Sequence, residues 1–220
     1  MKKLFTLVAM AFIAVCVNAQ SITWGENDKC DKGAAKESYS NGNLVLTCTD
    51  TDNAKHEVDG NSAYFGTADN YVQYKFRFKT GGKSDSKNGL KLTVPSDGTL
   101  KIAVRSASGS ATDRNLVLTQ TEEIYNKVVK DEDAVTTTIE DQEKKVFPIV
   151  TVDVKAGDIE IAYPSGSLNF YAFEFTPASN PGTAIVSVKA SVDNNAKAYN
   201  VGGRVATNGL VIKNGKKYIK

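Results

Sequence analysis

The sequence predicts an all-β protein: an antiparallel, jelly-roll-like β-sandwich followed by a short β-rich C-terminal tail. Apolar and polar residues alternate through most of the segments between residues 71 and 175, which is the two-residue period of strands with one buried face. Gly, Pro, Asn, Asp and Ser are concentrated between these segments, where chain reversals need them. Strands of this length and spacing are typical of sandwiches and jelly rolls.

The clearest strand is YVQYKFRF, residues 71 to 78, in which every second side chain is apolar. Its apolar face is predicted to be buried and its polar face to be wet. The same alternation predicts further strands within residues 90–94, 100–105, 159–163 and 168–175.

Other segments have less regular patterns. Residues 43–49, 115–120 and 146–155 contain fuller apolar runs, which are expected of strands covered on both faces. Residues 122–130 suit a short helix or a strand, and we predict a strand, because tertiary context commonly decides such segments. Residues 131–145 are acidic and rich in threonine, and we predict an exposed loop or a weak hairpin.

The N-terminus has the pattern of a removable export signal over residues 1–19. Lys2 and Lys3 precede an apolar run, and small residues precede Gln20, as signal cleavage requires. Lipid attachment at Cys16 is the alternative, although Val15 stands where that signal prefers a small residue. The run is too short for a bilayer-spanning helix of about 20 residues. We therefore expect a secreted or outer-surface protein without a transmembrane span.

The mature chain is predicted to contain a main domain at 20–176, a linker at 177–183 and a tail at 184–220. The linker is marked by two prolines and a glycine in TPASNPGT. The tail contains two short predicted ribbons, residues 201–205 and 211–219. In the second ribbon, Asn214-Gly215 is suited to a tight hairpin turn.

The charge distribution argues against nucleic acid as a partner. The whole chain has a formal net charge of +2, and loss of Lys2 and Lys3 with the signal makes the mature chain neutral. Residues 196–220 contain lysine and arginine but no acidic residue, so the main domain is mildly acidic. Broad nucleic-acid binding needs a clustered basic face. The sequence of the main domain does not predict such a face.

Two cysteines, Cys30 and Cys48, remain after signal removal. In an oxidising compartment an isolated pair predicts a disulfide, which would stabilise the fold by about 3 kcal/mol and pin the N-terminal segment to the strand that contains Cys48. A zinc site is the alternative, but two cysteines and His56 do not supply four ligands at a recognisable spacing.

The tail carries a family resemblance. AYNVGGRV, residues 198–205, and GLVIKNGKKYIK, residues 209–220, resemble the C-terminal sorting tail of proteins exported by type IX secretion. The resemblance implies the outer-membrane sorting machinery as a partner.

The main domain resembles a second group. NSAYFGTADNYVQYKFRFKTGG, LTVPSDGTLKIAVRSASGSATDRNLVLTQ and LNFYAFEF, all within residues 61–175, resemble β-sandwich accessory modules found beside secreted carbohydrate-active enzymes, including β-helix polysaccharide lyases. This resemblance implies polysaccharide as a partner and a non-catalytic role.

Five residues are candidates for glycan contact. Asp113 and Arg114 stand at a strand entry with Arg105 one strand away, and such side chains can hydrogen-bond sugar hydroxyls. Trp24, the single tryptophan, and Tyr64 are candidate stacking platforms. The alternatives are an ion pair of Asp113 with either arginine, which would fix the loop, and packing of both aromatic residues in the core.

Catalytic and metal-binding interpretations are weaker. Asp50, Asp52, Asn53 and Asp59 offer oxygen ligands for a structural calcium ion, but their spacing does not match a calcium loop, so no cofactor is expected. Glu122 with Glu123, and Glu140 with Glu143, lack the cleft that a glycosidase needs between two carboxylates. No nucleophile motif is present, and His56 lies in a polar run that predicts an exposed loop.

The sequence therefore favours a secreted or surface-attached, non-catalytic β-sandwich that binds polysaccharide. The alternative hypothesis is a structural or protein-interaction domain of the cell surface, which an exposed apolar patch would favour. A small polysaccharide lyase is the least favoured hypothesis, because the chain lacks room for the β-helix that such enzymes use.

Overall fold

The computed structural model describes residues 19–49, 55–86, 88–178, 210–213 and 216–219. The chain divides into two compact units, residues 1–179 and 180–220. The described part of the first unit is an all-β sandwich, which confirms the predicted fold class. Residues 1–18 of the predicted signal and the predicted ribbon at 201–205 lie outside the described residues.

Sixteen strands are present in the described residues. In chain order, β1 to β16 are Gln20–Thr23, Ser38–Asn41, Leu44–Thr49, Glu57–Gly66, Tyr71–Lys79, Gly89–Val94, Gly98–Ser106, Asn115–Thr119, Glu123–Val128, Val135–Ile139, Gln142–Phe147, Val150–Val154, Gly157–Ala162, Leu168–Pro177, Leu210–Lys213 and Lys216–Ile219. Two single-turn 3₁₀ helices occur at Glu26–Asp28 and Asp131–Asp133.

The sandwich consists of two sheets. The first has the order β10-β11-β4-β5-β14-β7-β12, with β1 also paired to β14. The second has the order β2-β3-β6-β13-β8-β9. Neighbouring strands are antiparallel except for the parallel pair of β11 with β4. This arrangement places β4, β5, β7 and β11 in one sheet, where they build the site described below.

The main core lies between the two sheets. Leu46 and Leu92 from the second sheet and Phe78, Phe170 and Phe173 from the first are fully buried in one cluster. Leu92 and Phe78 come from segments with a two-residue apolar period, which places one face of each strand inward. Leu46 comes from a fuller apolar run, and a register shift between Phe170 and Ala172 allows Phe170 and Phe173 to face the same core. Burial of this apolar area supplies the main stabilisation of the fold.

One edge of β14 pairs with β5 over part of its length and with β1 over the rest. This leaves the first half of β5 more exposed than its sequence predicts. Asn169 and Phe170 pair with the end of β5, whereas Ala172 to Phe175 pair with β1. The first half of β5 therefore has β4 alone as a ladder neighbour. Although alternation predicted a buried face along residues 71–78, Phe78 is fully buried while Val72 is 39% exposed.

The N-terminal segment is held by backbone pairing, and the disulfide prediction was wrong. Cys30 and Cys48 are both free thiols. Cys30 forms a backbone bridge with Val58, and Cys48 is buried within the main core, where burial raises its pKa to about 12. Both thiols thus contribute as small packing groups, and pairing of β1 with β14 fixes the start of the domain.

His56 is fully buried, so the prediction of an exposed loop histidine was also wrong. Its ring lies against Phe78 at 5.0 Å between centroids, and its Nε2 is 3.3 Å from the hydroxyl of Tyr163. That hydroxyl donates to the carbonyl oxygen of Asn88. The hydroxyl therefore accepts from the imidazole, which assigns the proton to Nε2. Burial lowers the pKa of His56 to about 4.

The acidic segment after β9 forms a hairpin with a buried anchor. Strands β10 and β11 are antiparallel, and the turn residues Glu140 and Asp141 have φ values of 52° and 62°, as a type I′ turn requires. Of the two predicted alternatives, an exposed loop or a hairpin, the hairpin is confirmed. Asp131, however, is buried.

In the second unit, β15 and β16 pair antiparallel with Lys213 opposite Lys216. The two strands predicted on either side of Asn214-Gly215 are therefore paired, while Asn214 and Gly215 themselves lie outside the described residues. Among the described residues, no helix is long and apolar enough to cross a membrane.

Candidate functional site

An open depression of about 540 Å³ lies on the first sheet. We name it the β4–β11 depression. The strand register determines which residues meet in the depression. Tyr64 on β4 lies opposite Gln73 on β5 and beside Val146 on β11. Its lining residues are Ser62, Ala63, Tyr64, Gln73, Arg105, Asp131, Lys144, Lys145 and Phe147.

A second, smaller hydrophobic cluster supports this depression. Phe65, Phe147 and Tyr171 are buried together, with ring centroids 5.7 Å apart for Phe65–Phe147 and 4.9 Å apart for Phe65–Tyr171. The hydroxyl of Tyr171 donates to Asn61 Oδ1 at 3.2 Å. Packed aromatic rings lose little further freedom on binding, so the residues above them are held on a rigid support.

An ion pair lies at the wall of the depression. Arg105 Nη2 donates to Asp131 Oδ2 at 2.9 Å, with side chains 24% and 6% exposed, respectively. The guanidinium also lies 4.5 Å from the centroid of Phe147, a cation–π distance. Asp131 Oδ1 and Arg105 Nε are buried without a hydrogen-bond partner among the described residues. Both groups therefore retain hydrogen-bonding capacity next to the depression.

Tyr64 supplies the aromatic surface. It is half-buried, and Tyr71 packs edge-on against it at 5.7 Å between centroids and 85° between ring planes. Such an edge-to-face contact fixes the orientation of both rings. Ser62 and Gln73 are exposed polar residues close to this ring, so an apolar face and hydrogen-bonding groups converge.

The structure brings two of the five predicted contact residues together, Tyr64 and Arg105. Trp24 lies elsewhere: it is 6% exposed and belongs to the main core, where Tyr39, Phe78 and Phe173 surround its ring. Trp24 directly follows β1, which ends at Thr23, and its position matches the core-packing alternative. As an enclosed side chain, it has no face for a ligand.

Asp113 and Arg114 also lie outside the lining of the β4–β11 depression. Arg114 Nη1 is 3.7 Å from Asp113 Oδ1 and donates to the carbonyl oxygen of Ser165. Arg105 is paired with Asp131 and not with Asp113. The contacts of Arg114 therefore match the loop-fixing alternative.

The carboxylates considered for calcium are divided. Asp50, Asp52 and Asn53 lie outside the described residues. Asp59 accepts hydrogen bonds from Arg77 at 2.7 and 3.1 Å. Burial alone would raise the pKa of Asp59, but the bonds and charges of Arg77 and Lys79 outweigh burial and lower it. Among the described residues, no group of three or more His, Cys, Asp or Glu side chains could hold a metal ion.

Sequence reasoning missed five polar members of the site: Ser62, Gln73, Asp131, Lys144 and Lys145. Gln73 and the lysines looked like ordinary wet-face residues of strands, and Asp131 looked like part of a solvated acidic run. The parallel pairing of β11 with β4 brings the lysines beside Tyr64. No local pattern announces a parallel pair between strands so far apart in the chain.

Comparisons with known proteins assign no family to the chain. No family model matches the chain, and no curated protein matches it. One similar solved structure comes from work described as "The complexity of the Ruminococcus flavefaciens cellulosome reflects an expansion in glycan recognition". It is 11% identical, covers 64% of this chain and 97% of its own, and has a TM-score of 0.30. A TM-score this low extends no property of that chain to this one.

Proposed function

We propose that this protein is a secreted or surface-attached, non-catalytic β-sandwich that binds polysaccharide in the β4–β11 depression. The observation that carries the proposal is the convergence of the Tyr64 ring with Arg105, Asp131, Gln73 and Ser62 in one open site. A sugar has an apolar ring face and several hydroxyls, and it is recognised by an apolar platform with a few placed polar groups. Because the depression is open, it suits a polysaccharide chain that continues beyond the site.

The lining of the depression favours binding over glycoside hydrolysis. Asp131 is the single carboxylate among the lining residues, and Arg105 already pairs with it. Glycosidases use two carboxylates, one as acid and one as base or nucleophile. The pairs Glu122–Glu123 and Glu140–Glu143 are not among the lining residues. The depression thus supplies hydrogen bonds and stacking, but not an acid–base pair.

The alternative, a protein-interaction surface, has less support in the described residues. The exposed large hydrophobic side chains there are Tyr71, Val72 and Val135, at 37%, 39% and 46% exposure. Three partly exposed side chains form a smaller apolar area than protein interfaces bury. The mixed polar and aromatic lining of the depression suits a sugar better.

Replacing Tyr64 with alanine is expected to weaken glycan binding about tenfold, or about 1.4 kcal/mol, because the apolar platform is lost. Affinity gels that contain xylan, glucomannan, β-glucan or polygalacturonate measure this as lost retardation. Tyr125→Ala is the matched control, since it removes a half-buried tyrosine from β9 of the other sheet. Absence of retardation of the wild-type protein by every polymer would contradict the proposed function.

Export is a separate part of the proposal and is supported by the sequence of residues 1–19 and by the sorting-like tail. The protein recovered outside the cells that make it is expected to begin at Gln20, because cleavage follows Ala19. Intact-mass measurement checks this directly. A lipid on Cys16, or a retained Met1, would contradict that cleavage site.

A further inference from the structure

The β4–β11 depression has an unbalanced charge. Arg105, Lys144 and Lys145 line it together with one carboxylate, Asp131. Since Arg105 and Asp131 neutralise each other, the two lysines of β11 remain as net positive charge.

The two lysines differ in how they are engaged. Lys144 is half-buried, and its Nζ donates to the neutral side chain of Gln142. Lys145 is exposed, and within the described residues it makes no hydrogen bond or ion pair. Its ammonium group is therefore available to a ligand.

Two other cations of the same sheet are neutralised by carboxylates. Arg77 pairs with Asp59 at 2.7 Å, and Lys79 pairs with Glu57 at 2.8 Å. Both pairs join β4 to β5, the strands next to β11. Lys144 and Lys145 have no such partner in the described part of the chain, so positive charge in this sheet is uncompensated at the edge of the depression.

Strand pairing brings this charge within reach of a sugar on Tyr64. Val146 is the register partner of Tyr64, and Lys144, two residues from Val146, lies on the same face of the sheet because successive side chains alternate. Lys145 points to the other face, and both lysines line the depression together with Tyr64. For a sugar ring on Tyr64, a negatively charged substituent is therefore favoured in the depression over a neutral hydroxyl.

We propose that the polysaccharide bound in the β4–β11 depression is acidic, with carboxylate or sulfate groups that contact Lys145 and Lys144. This inference rests on the proposed glycan-binding function and names its ligand class. Arg105, Gln73 and Ser62 then serve the hydroxyls, and the lysines serve the anionic groups. Binding is expected to weaken as salt is raised, because the lysines are near the surface.

The test compares polymers that differ in charge alone. Isothermal titration of the full mature chain is carried out with polygalacturonate and with the same polymer after reduction of its carboxyl groups. We expect at least tenfold tighter binding of the acidic form. Dextran sulfate against dextran forms the second arm, and the pair with the larger ratio identifies carboxylate or sulfate as the preferred group.

Lys145→Gln locates the effect in the depression. We expect about fivefold weaker binding of the preferred acidic polymer and unchanged binding of its neutral form. Lys32→Gln is the matched control, since it removes the same charge from an exposed residue that does not line the depression. Equal weakening by both variants would overturn the proposal, because overall charge would then explain the binding.

Different results would overturn the acidic-ligand inference and the glycan-binding function. If neutral polymers bind as well as acidic ones and Tyr64→Ala removes both, the acidic-ligand inference is overturned while the glycan-binding function stands. If acidic polymers bind but Lys145→Gln has no effect, the inference is likewise overturned. If no polymer of either class binds, the glycan-binding function itself is wrong.

Discussion

Trp24→Ala is expected to lower the free energy of unfolding by about 3–5 kcal/mol, the cost of removing a large buried aromatic side chain. The ring lies 5.4 Å from Phe78 and 6.3 Å from Phe173 of the first sheet, and 5.9 Å from Tyr39 of the second. It therefore joins the two layers, and its removal leaves a cavity between them. Urea unfolding followed by far-UV circular dichroism measures the loss.

The same variant separates packing from ligand contact. At a temperature where Trp24→Ala remains folded, its retention by polysaccharide should equal that of the wild type, because Trp24 does not line the β4–β11 depression. Trp24→Phe keeps an aromatic ring and should lose less stability than Trp24→Ala. Unchanged stability of Trp24→Ala combined with lost retention would show that the tryptophan acts as a platform after all.

Acidification from pH 7 to pH 4 is expected to lower the free energy of unfolding by about 3 kcal/mol through His56 alone. The imidazole is neutral and buried in the folded state, where burial lowers its pKa to about 4, whereas the unfolded state keeps the ordinary value of 6.5. Between these values the unfolded state binds the additional proton. Stability is therefore constant above about pH 6.5 and falls as pH decreases towards 4.

His56→Gln is the control for this pH dependence. Glutamine stays neutral at every pH and can still donate to the hydroxyl of Tyr163, so the decline between pH 6.5 and 4 should be absent. Loss of stability below about pH 4 should persist in both proteins, because Asp59 and Asp158 have lowered pKa values. An equally steep decline above pH 4 in the variant would rule out His56 as its cause.

The strands were predictable where burial of one face makes apolar and polar residues alternate in the sequence. In residues 90–94, 100–105 and 159–163 every second side chain is a large apolar one, and each segment became a strand with that face in the core. The strand within residues 122–130 was also predicted, and β9 occupies Glu123–Val128. Strand β1 was not predicted. It has only four residues, and its partner strand β14 lies about 150 positions away in the chain, so the pairing is not local.

The candidate site was predictable only in part. Tyr64 and Arg105 were singled out because of their chemistry, and the sheet brings them to one depression. Trp24 and His56 were misplaced because their neighbouring residues are polar, while contacts across the sandwich decide their burial. Tertiary packing overrides local composition in such segments. A single sequence does not reveal which polar run will be covered by a distant aromatic ring.

The pairing of β1 with β14 has a consequence for the order in which the first sheet can form. The strand nearest the amino terminus joins the last strand of the sandwich, and that last strand also separates β5 from β7 in the middle of the first sheet. Until Leu168–Pro177 has been synthesised, β5 and β7 have no shared neighbour. The centre of the first sheet therefore cannot close before the last strand of the sandwich is available.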